Sequence, residues 1–114
     1  MARSTRCVVH IDTGMSRLGL SAGEVEHVAA ESLLNDLDVE YVITHLACAD
    51  DPSHPLTGEQ IERFDSLRAK LPEAKTSIGS SPGIMLDASS RGDLVRPGIA
   101  LYGGNPFVLS LIHI

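Results

Sequence analysis

RCVVHIDTGMSR, residues 6–17, sets the terms for the whole chain. Arg6 to Ile11 is a short run rich in β-branched side chains, which reads as a strand buried on at least one face. It ends in the loop Asp12-Thr13-Gly14-Met15-Ser16-Arg17. Ser21 and Glu24 then make a Ser-x-x-Glu capping box. Val25, Val28, Ala29 and Leu33 follow at helical spacing, so a strand passes through a polar loop into an amphipathic helix.

The same unit recurs. Val39 to Thr44 reads as a second strand, with His45 at its end and a loop containing Pro52 and Pro55. Thr57 and Gln60 form a second capping-box pattern, and Ile61, Phe64, Leu67 and Leu71 form a stripe closed by Pro72. A third strand, Thr76 to Gly79, runs into Ser80-Ser81-Pro82 and a helical turn at Ile84 to Leu86. A fourth, Leu94 to Arg96, leads into Pro97-Gly98-Ile99-Ala100-Leu101-Tyr102-Gly103. Such alternation predicts parallel strands joined by right-handed crossovers.

Periodicity fits both an open doubly wound sheet and part of a barrel. The polar residues favour the barrel. Arg17, His45, Ser80, Ser81 and Arg96 all fall at or just beyond the carboxyl ends of predicted strands, and a barrel gathers those ends on one rim. An open sheet gathers only the residues at its switch point. The fold class is therefore α/β, a parallel (β/α) half-barrel. The 114 residues are fewer than the roughly 250 of a closed (β/α)8 barrel.

Composition narrows the function. Hydrophobic residues make up 43% and charged residues 21%, as in ordinary globular domains. A net charge of −6 and the absence of tryptophan argue against nucleic acid as a partner. No apolar run approaches the ~20 residues of a membrane span. Cys7 and Cys48 are read as free thiols, which suits the cytoplasm. His45, Cys48, Asp50 and Asp51 match no zinc spacing, and no metal is expected.

HIDTGMSRLGL (His10 to Leu20), THLACAD (Thr44 to Asp50), GSSPGIM (Gly79 to Met85) and VRPGIALYGGNP (Val95 to Pro106) together resemble, in order and spacing, the last four strand-end motifs of the alanine racemase family. The resemblance implies that residues 1–108 are the C-terminal half of a barrel of TIM type that binds pyridoxal 5'-phosphate (PLP). Residues 109–114, LSLIHI, depart from the pattern and are read as a non-native tail.

Carried over by position, the resemblance implies that the Ser81 hydroxyl holds the PLP phosphate, beside Ser80 and the backbone amides of Gly98 and Ile99. Arg96 would face the pyridine nitrogen. Guanidinium only donates, so that nitrogen stays unprotonated and the cofactor becomes a weaker electron sink, suited to moving one proton. His45 would lie between Arg96 and a tyrosine base supplied by the partner subunit of a homodimer. Arg17 would sit near the cofactor's phenolic oxygen and bind the substrate carboxylate. Asp12 and Thr13 are read as bracing their loop.

The implied parent interconverts L- and D-alanine, with a small amino acid as its partner molecule. A non-catalytic PLP-carrier barrel and a racemase of another amino acid are the alternatives. His10 keeps the second open, because it stands where the family usually has a lysine modified to an anionic carbamate. A histidine beside arginines is pushed towards its neutral form, which accepts only one hydrogen bond from Arg17.

The family's Schiff-base lysine has no counterpart here, since Lys70 lies in the second helix and Lys75 at the amino end of the third strand. The 114 residues alone, given PLP and L-alanine, should therefore form no D-alanine. Turnover at ordinary enzyme rates, roughly 1–10³ per second, would show that another group replaces the lysine.

Overall fold

The computed structural model describes residues 5–86 and 88–104. Its strands are β1 (Thr5–His10), β2 (Leu37–Ile43), β3 (Lys75–Ser80) and β4 (Leu94–Arg96). Its helices are α1 (Ala22–Ala30), α2 (Leu56–Arg68) and α3 (Ser81–Leu86). Two 3-10 turns occupy Ala88–Ser90 and Ile99–Tyr102. The four strands are all parallel and lie in sequence order, β1-β2-β3-β4. The expected parallel α/β architecture is what forms.

Strand alternation assigns the two faces. Cys7, Val9 and Ile11 turn towards the helices, and Val9 and Ile11 are buried there with Val39, Val42, Leu46 and Ile78 from the later strands. Val25 of α1 and Phe64 and Leu67 of α2 complete this core. The register pairs His10 with Ile43, Ile43 with Ser77 and Ser77 with Leu94, so these four residues share the opposite face. On that face Val8 and Leu94 remain 53% and 43% exposed. Both edge strands pair on one side only among the described residues. The sheet thus has one covered face and one open face.

Local signals set the helix ends unevenly. Ser21 caps α1 as expected: its hydroxyl accepts from the Glu24 amide, and the Glu24 carboxylate accepts from the Ser21 amide. Leu33 was expected on the apolar stripe but is exposed, because α1 stops at Ala30 and the backbone turns at Ser32 with φ of 51°. The second capping box does not form. Pro55 stands at the N-cap of α2 with no side-chain bond, and Gln60 faces inward. Three tertiary hydrogen bonds, described below, outcompete the local one.

Among the described residues no helix is long and apolar enough to cross a membrane. Residues 109–114 lie outside the described residues. Phe64 has no exposed surface and belongs to the core cluster between α2 and the sheet. Phe64→Ala should cost about 3–5 kcal/mol and lower the urea midpoint of unfolding accordingly. An unchanged midpoint would mean that α2 is not docked on the sheet.

Candidate functional site

Parallel strands present all their carboxyl ends on one edge of the sheet, and the candidate residues follow from that. His10 is the last residue of β1, and the chain leaves it through a loop that returns beside the strand. The Leu20 amide donates to the His10 carbonyl at 2.8 Å, and the Asp12 amide donates to the Leu20 carbonyl at 2.9 Å. This close return demands Gly19. Its φ is +112°, and a Cβ there would lie 2.8 Å from the Asp12 nitrogen and 2.9 Å from the His10 ring.

Asp12 and Thr13 brace the loop, as expected. The Asp12 carboxylate accepts from the amides of Gly14 and Ser16 at 3.1 and 3.0 Å. These bonds, that from Ser16 foremost, hold its pKa below the usual carboxylate value. Ser16 adopts a positive φ of 57°, and this turn directs the chain into Arg17.

The loop places Arg17 in one crevice with His10, Asp12, Met15 and His45. Arg17 forms no ion pair among the described residues. Arg96, the last residue of β4, reaches across the strand ends. Its Nη2 donates to the carbonyls of Thr44 at 2.5 Å and Ile78 at 3.1 Å, while its buried Nε has no partner among the described residues. Burial pulls the pKa of both His10 and His45 down, and the charges of Arg96 and then Arg17 act the same way. Arg17, His10, His45 and Arg96 therefore form one electrostatic cluster.

Ser80 and Ser81 end β3 and begin α3. Ser80 stands in register with Arg96. Ser81 is 2% exposed, and its hydroxyl oxygen accepts from the amides of Gly98 at 2.9 Å and Ala100 at 3.1 Å. Those two bonds occupy its lone pairs. Its proton has no acceptor among the described residues and remains free to donate outward. A Cβ at Gly98 would meet nothing within 4 Å, so that side lies open to a ligand. A hydroxyl donor held in place by two amides, with an open approach beside it, fits a phosphate group.

The amides that reach the Ser81 oxygen are those of Gly98 and Ala100, while the Ile99 amide does not reach it. The 3-10 turn Ile99–Tyr102 begins after Gly98 at φ −132°, ψ −87°, and lifts Ile99 outward to 54% exposure.

The sequence reading also missed Thr44 and the functional side of Gln60, both fully buried at the same rim. A buried polar residue inside an apolar stripe was the available signal. A hollow of about 760 Å³ between the β1–α1 loop and α2 contains none of the candidate residues. His10, Arg17 and His45 line the narrower crevice instead, which is closed to a water molecule.

Residues 1–106 match the family model described as alanine racemase, N-terminal domain. The chain belongs to the alanine racemase family. It is 49% identical over 105 residues to the catabolic alanine racemase of Mesorhizobium japonicum, covering 91% of this chain and 28% of that one. It is 44% identical over 107 residues to the alanine racemase of Rhodospirillum rubrum, covering 93% and 29%. The alanine racemase of Bartonella henselae, solved with covalently bound pyridoxal phosphate, superposes with a TM-score of 0.83 at 38% identity, over 89% of this chain and 30% of that one. The Corynebacterium glutamicum enzyme gives 0.81 at 33% identity, over 94% and 32%. This member of the family thus spans less than a third of these relatives' length.

The lowered pKa values have a sign. Between the ordinary imidazole value near 6.5 and the lower folded values, the unfolded chain binds protons that the folded chain refuses. Stability should therefore be complete above that range and fall as pH drops through it. Asp12 acts in the same direction, but only below its ordinary value of 3.8. The urea midpoint should be lower at pH 5 than at pH 7.5. Replacing His10 and His45 together by Asn should shrink the difference, and an equal difference in that variant would remove these histidines as its cause.

Proposed function

We propose that this chain is a segment of a PLP-dependent alanine racemase, supplying the phosphate cradle and the cationic side of the substrate site. The arrangement of Ser81 carries the reading. A nearly buried serine, held by two amides and with its proton free, is arranged for an anion and does little for the core. The names of the relatives, and the pyridoxal phosphate bound in the Bartonella structure, support the choice of anion.

PLP, when bound, supplies the electron sink that lets an amino acid lose its α-proton. The chain's own residues prepare for that chemistry. Ser81, oriented by the Gly98 and Ala100 amides, would hold the phosphate through its hydroxyl proton, and Ile99 and Ser80 would shape the approach. Arg96 is pinned by two carbonyls and cannot give up its proton, so it suits a ring nitrogen that only accepts. Arg17 carries an unpaired charge for the substrate carboxylate. His45, pushed towards its neutral form by burial and by Arg96, would relay the charge of Arg96 towards the base.

The covalent lysine and the tyrosine base are assigned to other parts of a homodimeric, cytoplasmic parent. Lys70 lies not in a helix but in the turn after α2, paired with Glu26 of α1 at 2.7 Å, and Lys75 stands at the amino end of β3. His10 favours one second reading, a racemase of another amino acid. A neutral ring leaves the charge of Arg17 unbalanced, which favours a more acidic substrate.

Grafting residues 6–104 into the Mesorhizobium relative, in place of the matching stretch, should give an enzyme that retains PLP and racemises alanine. Ser81→Ala in that graft removes a hydrogen bond to a charged group, about 1.5–3 kcal/mol, and should weaken PLP binding about 10- to 150-fold. A folded graft that binds no PLP, or an unchanged affinity in the variant, would refute the cradle.

A further inference from the structure

Gln60 lies on α2, on the helix side of the sheet, yet its amide ends at the rim. It has no exposed surface. Its Oε1 accepts from the Ala47 amide at 2.9 Å, and its Nε2 donates to the His45 carbonyl at 2.9 Å. One side chain therefore holds the backbone on both sides of Leu46. The amide orientation is unambiguous, because one partner is a donor and the other an acceptor.

The second Nε2 proton goes to the Thr13 hydroxyl at 3.1 Å. The Thr13 and Thr44 hydroxyls are 2.7 Å apart, and the Thr44 hydroxyl donates to the Ile11 carbonyl at 2.8 Å. Thr44 has one proton, already used, so Thr13 must donate to it. The relay runs in one direction: Gln60, Thr13, Thr44, Ile11 carbonyl. The Thr44 carbonyl in turn receives Arg96.

We infer, on the racemase reading above, that Gln60 is a positioning residue: a single buried amide sets the backbone bearing His45 and the loop bearing Arg17. No group of Gln60 touches the crevice. It acts through the two strand ends it joins, and Thr13 divides its action between them. The bonds to His45 and Ala47 serve the histidine, and the bond to Thr13 serves the arginine loop, which Arg63 also holds through the Thr13 carbonyl at 2.9 Å.

The test compares Gln60→Met, Thr13→Val and the core control Phe64→Leu. In the 114-residue chain, NMR titration should show the His45 midpoint rising towards the ordinary value in Gln60→Met and unmoved in Phe64→Leu. In the grafted racemase, assayed where each variant is folded by circular dichroism, Gln60→Met should lower kcat about tenfold or more. Thr13→Val should raise KM severalfold with kcat nearly unchanged.

Equal effects of Gln60→Met and Phe64→Leu on the His45 midpoint would reduce Gln60 to a packing residue and overturn the inference. If Gln60→Met does not fold, Thr13→Val decides alone, and an unchanged KM overturns the inference. The titration needs neither PLP nor turnover. Loss of racemase activity in the unsubstituted graft would instead count against the racemase reading.

Discussion

The hydroxyl–amide relay from Gln60 through Thr13 and Thr44 closes the most demanding part of this fold. Parallel strands end together, and each leaves backbone groups at the rim that the ladder no longer satisfies. Orphaned there, a buried donor or acceptor costs about 1–3 kcal/mol. Here the leftover groups are consumed by side chains. Thr44 takes the Ile11 carbonyl, Gln60 takes the His45 carbonyl and the Ala47 amide, and Arg96 takes the Thr44 and Ile78 carbonyls. Such a network is rigid because nearly all its groups are committed, the buried Nε of Arg96 being left without a partner among the described residues.

That commitment separates structural from available groups. Asp12, the acid nearest the crevice, is engaged by two backbone amides and does not neutralise Arg17. Burial and the neighbouring guanidinium groups push both histidines towards the neutral form. Two fixed positive charges, Arg17 and Arg96, therefore remain at the rim of a chain whose net charge is −6. Locally this end of the sheet attracts anions, although the molecule as a whole does not.

Several features were legible in the sequence because they depend on near neighbours. The Ser21–Glu24 box formed, since both bonds lie within one turn. The strands fell within one or two residues of their expected bounds, because β-branched runs between loops leave few alternatives. The identical local pattern at Thr57 and Gln60 failed. Helix α2 begins at Leu56, and Gln60 finds three partners on the sheet that no local rule includes. At Ser81 the motif singled out the serine, but only the geometry of the following turn showed that the Gly98 and Ala100 amides both donate to its hydroxyl.

The sequence by itself determined the order of strands and helices, their parallel sense, and which polar residues would stand at the carboxyl rim. Hydrophobic period, capping chemistry and glycine placement act over a few residues and need no distant partner. Tertiary structure alone decided which rim groups are committed and which are free. Thr13 and Thr44 are 31 positions apart, and Thr13 and Gln60 are 47 apart. Their bonds exist only because core packing of Ile11, Val42 and Phe64 brings three separate elements to one edge.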